Sequence, residues 1–337
     1  MNPFVLVQPR SHAQAAKVMA AGGSYRLPVL KAGGIDVLDH LKEGLLSPDA
    51  VVNVRRLGAE GPAVTRLADG SIRIEAGATL AQLASDPILL ADATVVAQSA
   101  GSAATPAIRN IASAAGNLLQ RPRCWYYRHA QFECLKKGGS MCFAVDGENA
   151  HHAIFGPGPC HIVHPSNLAP ALMVLDGQVH LTGSKRDRIA AADLFHMPDK
   201  GILSEHNLEQ GEVITHLTLR PRPTSGFHAV KAKQSFDWPS ALACVSLRVE
   251  EGVIREASVC AGAVAPVPWM LPRVGAALQG AKATDDAAIA AAAELAAEGA
   301  KPMRDNGYKV ALLVASVRRA TLRALGRETP SFREIRP

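Results

Sequence analysis

An apolar run of the chain ends in the segment Lys31-Ala32-Gly33-Gly34-Ile35-Asp36-Val37-Leu38, and this segment sets the expected architecture. The apolar residues before it predict a buried strand, and the paired glycines predict a tight turn. Because glycine lacks a side chain and tolerates positive φ, a phosphate could approach the backbone N–H donors of such a turn. A turn without a ligand explains the same residues. The spacing is not G-x-G-x-x-G, so it does not favour a Rossmann fold.

A second segment rich in glycine and hydroxyl groups follows about 70 residues later. Its Thr105-Pro106 pair predicts a helix start, since a capping hydroxyl precedes a proline at the first helical position. We expect that helix to end near Ala115-Gly116-Asn117. Such a helix start suits a phosphate or a flavin edge, although a capped helix without a ligand explains it equally well. The candidate contacts are Gly101, Ser102, Thr105, Ile108, Arg109, Asn110, Gly116 and Asn117.

Four of the six cysteines fall close together, at Cys124, Cys134, Cys142 and Cys160. Four thiolates can ligate a [4Fe–4S] cluster or a tetrahedral zinc ion, and the cysteines could also be unligated. Zinc sites commonly contain C-x-x-C pairs, which are absent here, and irregular spacing in a glycine-rich loop suits a cluster at least as well. The other two, Cys244 and Cys260, lie in apolar strand-like segments and are expected in the core.

Composition excludes several classes of protein. The 337 residues are 48% hydrophobic and 4% aromatic, which predicts a folded chain of two or three domains. The net charge of +6 is not concentrated in one face or run, so nucleic-acid binding is not expected. We find no apolar run long enough for a membrane span, no signal peptide and no hydrolytic motif. We therefore expect a cytoplasmic protein, or a periplasmic one exported folded with a partner that carries the signal.

The sequence pattern changes after Pro221-Arg222-Pro223. Alternating segments at 241–249 and 257–263 predict an antiparallel sheet, and alanine-rich helices are expected at 285–299 and 307–325. We therefore divide this α+β chain into domains 1–223 and 224–337.

In combination, the two glycine-containing segments resemble those of the FAD-binding medium subunits of molybdenum hydroxylases. The likeness continues through His164-Pro165-Ser166-Asn167 and Phe236-Asp237-Trp238, and it covers nearly the whole chain. It implies a two-lobed FAD-binding domain of the vanillyl-alcohol-oxidase/PCMH type, followed by a smaller α+β domain like the CO dehydrogenase flavoprotein C-terminal domain. It also makes Asn167 and Lys231 candidates near the flavin ring. The chain departs from the family pattern at Ile35, Ala115 and Asn167.

The cysteine-rich insertion at 121–160 is similar to that of a subset of the family, the FAD subunits of periplasmic aldehyde oxidoreductases. This similarity implies a [4Fe–4S] cluster on the four clustered cysteines. It further implies a molybdopterin-binding large subunit that oxidises the substrate, a [2Fe–2S] small subunit that passes electrons to FAD, and an external electron acceptor. Two other hypotheses are a self-contained flavin oxidase and a zinc-stapled assembly subunit without a redox role.

Overall fold

The first lobe of the protein is built on a small parallel sheet. The computed structural model describes residues 2–20, 24–58, 60–232 and 236–327, so parts of both expected domains lie outside the described residues. The elements of this lobe are β1 (Val5–Val7), α1 (His12–Met19), β2 (Pro28–Lys31), α2 (Ile35–Lys42) and β3 (Ala50–Asn53). Strand β3 lies between β1 and β2 and runs parallel to both. Helix α1 begins where the Ser11 side chain accepts a hydrogen bond from the Gln14 amide.

The second lobe combines an antiparallel sheet with short helices. Its strands are β4 (Val64–Arg66), β5 (Ile72–Glu75), β6 (Gln178–Thr182), β7 (Arg188–Ala190) and β8 (Val213–Leu219), in the order β4-β5-β8-β6-β7. Its helices are α3 (Leu80–Ser85), α4 (Pro87–Asp92), α5 (Thr94–Ser102), α6 (Pro106–Arg109), α7 (Ala114–Leu118), α8 (Trp125–Arg128), α9 (Leu168–Met173) and α10 (Ala191–Leu194). Ile72 and Ile74 alternate with polar neighbours along β5 and are buried in the main core.

The helix expected from Thr105 to the region of Asn117 is instead two short helices, α6 and α7. The intervening backbone bonds elsewhere, because the Leu80 amide donates to the Ala112 carbonyl at 2.9 Å and the Ala114 amide donates to the Ala78 carbonyl at 2.8 Å. Ser113 then caps α7 by accepting from the Gly116 amide at 3.1 Å. These long-range bonds end the first helix. They could not be predicted from the local sequence.

The C-terminal domain is an antiparallel sheet covered by helices. It contains β9 (Ser225–Lys231), β10 (Pro239–Glu250), β11 (Val253–Gly262), β12 (Trp269–Met270), α11 (Pro272–Leu278), α12 (Asp286–Glu294) and α13 (Tyr308–Ala324). The strand order is β12-β11-β10-β9, and the expected antiparallel pair is β10 with β11. Cys244 and Cys260 face each other across this pair and are fully buried, so their expected core position is confirmed.

The cysteine-rich segment at 121–160 is mostly irregular, with α8 and a 3-10 helix at Leu135–Lys137 as its regular elements. It contacts the first lobe through Asp36 and the C-terminal domain through Lys309. Among the described residues, no helix is long and apolar enough to cross a membrane.

Candidate functional site

A cavity of about 450 Å³ lies where the two lobes and the start of the C-terminal domain meet. Twelve of the residues proposed from the two glycine-containing segments and the family likeness line it: Lys31, Ala32, Gly33, Gly34, Ile35, Asp36, Val37, Ser102, Ile108, Gly116, Asn117 and Asn167. The two segments are about 70 residues apart in sequence, so the fold brings them together as the hypothesis requires. The volume and the apolar lining are typical of a site for an organic cofactor.

Six proposed residues lie outside this lining in the described structure: Leu38, Gly101, Thr105, Arg109, Asn110 and Lys231. Two of these residues instead hold the backbone of the cavity wall in place. Arg109 donates from Nη1 to the Ala103 and Ala104 carbonyls, at 2.9 and 2.6 Å, and so braces residues that do line the cavity. Lys231 donates from Nζ to the Ser102 carbonyl.

The paired glycines are required by two different constraints. A Cβ on Gly33 would lie 2.2 Å from the Ile111 carbonyl oxygen, so a side chain there would clash with backbone. Gly34 has φ +87°, a left-handed conformation that favours glycine, and it is the residue from which α2 starts. The first amides of a helix have no partner inside it, so this turn offers N–H donors to a diphosphate. These residues fit FAD.

Asp36 faces the cysteine-rich segment. Its carboxylate accepts from the Arg121 amide at 2.8 Å and from Arg128 Nη2 at 2.7 Å, and it lies 3.0 Å from Arg123 Nη2. Burial acts to raise the pKa of Asp36, but the Arg123 charge and the bonds from Arg121 and Arg128 hold it below its ordinary value. Arg121 and Arg123 also line the cavity and add positive charge suited to phosphate.

Sequence reasoning missed several wall residues, among them Tyr127, His206, Phe236 and Trp238. Trp238 packs against Arg123, whose guanidinium carbon lies 4.6 Å from the ring centroid. The family likeness rested partly on the segment that contains Phe236 and Trp238. That likeness could have identified both residues as candidates for the cavity wall. Tyr127 belongs to the aromatic triplet after Cys124, which is conspicuous in a chain with 4% aromatic residues.

Asn117 has a structural role as well as a place in the wall. Its Oδ1 accepts from Ser166 Oγ at 2.7 Å and from the Leu168 amide at 3.3 Å. Ser166 in turn accepts from the Ala169 amide at 3.0 Å, in the first turn of α9. This network fixes the neighbouring Asn167 against the cavity, although the side chain of Asn167 makes no capping hydrogen bond to α9.

The four clustered cysteines line one smaller cavity, together with His152 and Lys136. Burial raises the pKa of Cys124 to about 11. A hydrogen bond between Cys142 and Cys160 lowers the pKa of Cys142 and raises that of Cys160. No three His, Cys, Asp or Glu side chains of the described residues are arranged to hold a single metal ion, so the metal site stays a prediction. Tyr127 lines both this cavity and the larger one.

Comparison with known proteins agrees with this geometry. Residues 2–223 match the family model described as the FAD binding domain in molybdopterin dehydrogenase, and residues 225–324 match the CO dehydrogenase flavoprotein C-terminal domain. The chain is 34% identical over 302 residues to the aldehyde oxidoreductase FAD-binding subunit PaoB of Escherichia coli, covering 87% of this chain and 91% of that protein. It is 38% identical over 219 residues to the putative xanthine dehydrogenase FAD-binding subunit XdhB of the same organism, covering 61% and 72% of the two chains.

Solved structures share the fold. A chain of carbon monoxide dehydrogenase from Hydrogenophaga pseudoflava superposes with a TM-score of 0.74 at 22% identity, covering 98% of this chain and 100% of that one. A chain of quinoline 2-oxidoreductase from Pseudomonas putida 86 gives 0.72 at 20% identity, covering 96% and 98%. The cavity at the glycine turn, the two matched domains and the relatives together show that this chain belongs to the family of FAD-binding subunits of the molybdenum hydroxylases.

Proposed function

We propose that this chain is the electron-transferring FAD subunit of a molybdenum-dependent aldehyde oxidoreductase and that it carries its own [4Fe–4S] cluster. In this proposal, a molybdopterin-binding partner oxidises the aldehyde, and electrons reach FAD on this chain from the [2Fe–2S] centres of a small partner. They leave through an external acceptor. The aldehyde assignment is supported by the likeness to PaoB and by the cysteine insertion.

The observation that carries the cluster is the meeting of Cys124, Cys134, Cys142 and Cys160 at one buried cavity. These residues are spread over 37 positions of an irregular segment, and the fold gathers all four. Each thiolate of a [4Fe–4S] cluster binds a different iron, so the sulfurs need not converge on one point as they must for a single zinc ion. This is compatible with the lack of a single-ion arrangement among the described residues.

The place of the cysteine cavity supports electron transfer to or from FAD. Tyr127 belongs to the walls of both cavities, so its side chain lies next to both proposed cofactor sites. FAD, when bound, exchanges electrons singly or in pairs and so can couple clusters to different acceptors. The chain's own residues hold the cofactor, add positive charge through Arg121 and Arg123, and close the cavity with Trp238.

The test is cofactor analysis of the purified complex and of single-cysteine variants. We expect Cys124→Ser, Cys134→Ser, Cys142→Ser and Cys160→Ser each to lose about four iron and four acid-labile sulfide per chain while the partner [2Fe–2S] centres and much of the FAD remain. Cys244→Ala and Cys260→Ala remove cysteines outside the cavity and should keep all the iron. Zinc in place of iron, or full iron in all four variants, would contradict the cluster.

The flavin role is tested on this chain without its partners. Dithionite should bleach the FAD absorption, and an aldehyde should not, because the proposal puts substrate oxidation on the molybdopterin subunit. Adding the purified partners should then let aldehyde reduce the flavin. Reduction of the flavin by aldehyde in the isolated chain would instead identify a self-contained oxidase.

A further inference from the structure

His152 lies against the first cysteine of the cluster cavity. Its Nε2 is 3.3 Å from Cys124 Sγ, and the residue is 5% exposed. A neutral imidazole carries its proton on one ring nitrogen, and the hydrogen-bond partners of the ring decide which nitrogen that is. A metal-bound thiolate can only accept, and Nε2 is therefore the donor to Cys124.

Lys309, on α13, lies directly behind His152. Its ammonium donates to the His152 carbonyl at 3.0 Å and to the Ala263 carbonyl at 2.6 Å, and the residue is 1% exposed. Both of these partners are neutral carbonyls, and burial lowers the pKa of Lys309 to about 7. A buried amine held by neutral carbonyls is protonated more fully when an anionic group lies nearby, and a cluster with four thiolates would supply that group.

A second excess of positive charge lies on another wall of the same cavity. Lys136 is buried and lines the cavity, and its Nζ is 2.6 Å from Glu205 Oε1. Glu205 also accepts from Arg121 Nε at 2.9 Å, so two cations share one carboxylate. Lys136 and Lys309 thus put positive charge on two sides of the cysteine cavity. This charge suits an oxidised [4Fe–4S] core with four thiolates, which carries two negative charges.

We propose that His152 and Lys309 are positioning residues that set the reduction potential of the group ligated by the four cysteines. His152 donates an N–H···S bond to Cys124, and Lys309 fixes the His152 backbone and supplies compensating charge. The inference rests on the proposed [4Fe–4S] cluster. Reduction adds negative charge to the cluster, and both an N–H donor and a nearby cation stabilise that added charge. Both residues therefore raise the potential.

The test is a redox titration of the purified complex, in which the electron paramagnetic resonance signal of the reduced cluster is measured at each potential. We expect His152→Leu and Lys309→Met each to disfavour cluster reduction about tenfold, which is a downward shift of about 59 mV for a one-electron couple. His152→Gln retains an N–H donor and Lys309→Arg retains the charge, so both should stay within about threefold of the wild type. His151→Gln and Lys301→Met are matched controls, because both residues are exposed. They should leave the potential unchanged.

Iron and sulfide content separates this inference from the proposed function. A wild-type complex without the extra cluster would overturn both. Full iron in His152→Leu and Lys309→Met with an unchanged potential would overturn only the inference. If these two variants lack the extra cluster, the conservative variants decide. His152→Gln and Lys309→Arg must keep the cluster and its potential, and a shift beyond about threefold in either overturns the proposal.

Discussion

Arg128 donates from Nη2 to Oδ1 of Asp36 at 2.7 Å, and this bond joins residues 92 positions apart. Asp36 lies in the turn of the FAD cavity, and Arg128 ends the helix that follows Cys124. The proposed cluster segment is therefore part of the structure that holds the flavin turn in place. Both side chains are largely buried, at 19% and 11% exposure, so solvent screens the pair only weakly.

Asp36→Asn should weaken both stability and FAD retention. The substitution removes the negative charge that faces Arg123 and Arg128 and leaves two cations close together. Hydrogen bonds to charged groups contribute about 1.5–3 kcal/mol, and we expect a loss of that size in urea unfolding of the FAD-loaded chain. The control is Asp39→Asn, because Asp39 is 49% exposed and lies 3.8 Å from Arg123. Equal stability of the two variants would contradict the anchoring role of Asp36.

Gly33→Ala should reduce FAD content without unfolding the C-terminal domain. A Cβ at this position would lie 2.2 Å from the Ile111 carbonyl oxygen, so the turn must move away from the second glycine-containing segment. Both segments line the cavity, so a change in the distance between them alters the space in which FAD would bind. Gly61→Ala is the control, since a Cβ there meets nothing within 4 Å. FAD per chain, measured by absorbance after gel filtration, should fall at least about threefold in Gly33→Ala only.

Capping residues and glycine pairs in the sequence predicted those parts of the site that are formed by residues close together in the chain. Thr105 caps the helix that it was expected to cap, and the glycine turn follows its strand as predicted. Asp36 was predicted as a contact to the cofactor, which stays a prediction, and it does line the cavity. Its three arginine partners were not predicted, because they lie about 85 to 92 residues away and no local rule relates them.

The remaining misses have the same physical cause. Trp238 reaches the cavity only because the C-terminal domain packs against the two lobes, and Tyr127 reaches it through the irregular cysteine segment. The interruption between α6 and α7 arises from backbone bonds to residues 78 and 80. Such contacts depend on tertiary structure, whereas helix propensity and capping patterns predict only the conformation of residues within a few positions of one another.

Glu212 should make stability depend on acid pH. Burial alone would raise its pKa, but hydrogen bonds from Arg186, Ser184 and the Glu209 amide lower it to about 2. A carboxylate with a depressed folded pKa stabilises the protein above its unfolded pKa, near 4.5, and loses this contribution as the pH falls towards 2. Wild type should therefore exceed Glu212→Gln in unfolding free energy by about 2 kcal/mol at pH 6. The difference should shrink steadily between pH 4.5 and pH 2, and a constant difference over that range would contradict the assignment.

Trp238→Ala should loosen FAD while leaving the fold intact. Trp238 is 45% exposed, so its removal creates little cavity in the core, yet it lines the flavin cavity and packs on Arg123 at 4.6 Å. An exposed cation–π contact contributes about 0.5–1 kcal/mol, and its loss should raise the Kd for FAD about two- to fivefold. Trp125→Ala is the matched control, because Trp125 is 65% exposed and lies outside the lining of that cavity among the described residues. Fluorescence titration of the apoprotein with FAD measures both constants, and equal constants would show that the C-terminal domain does not help to close the cavity.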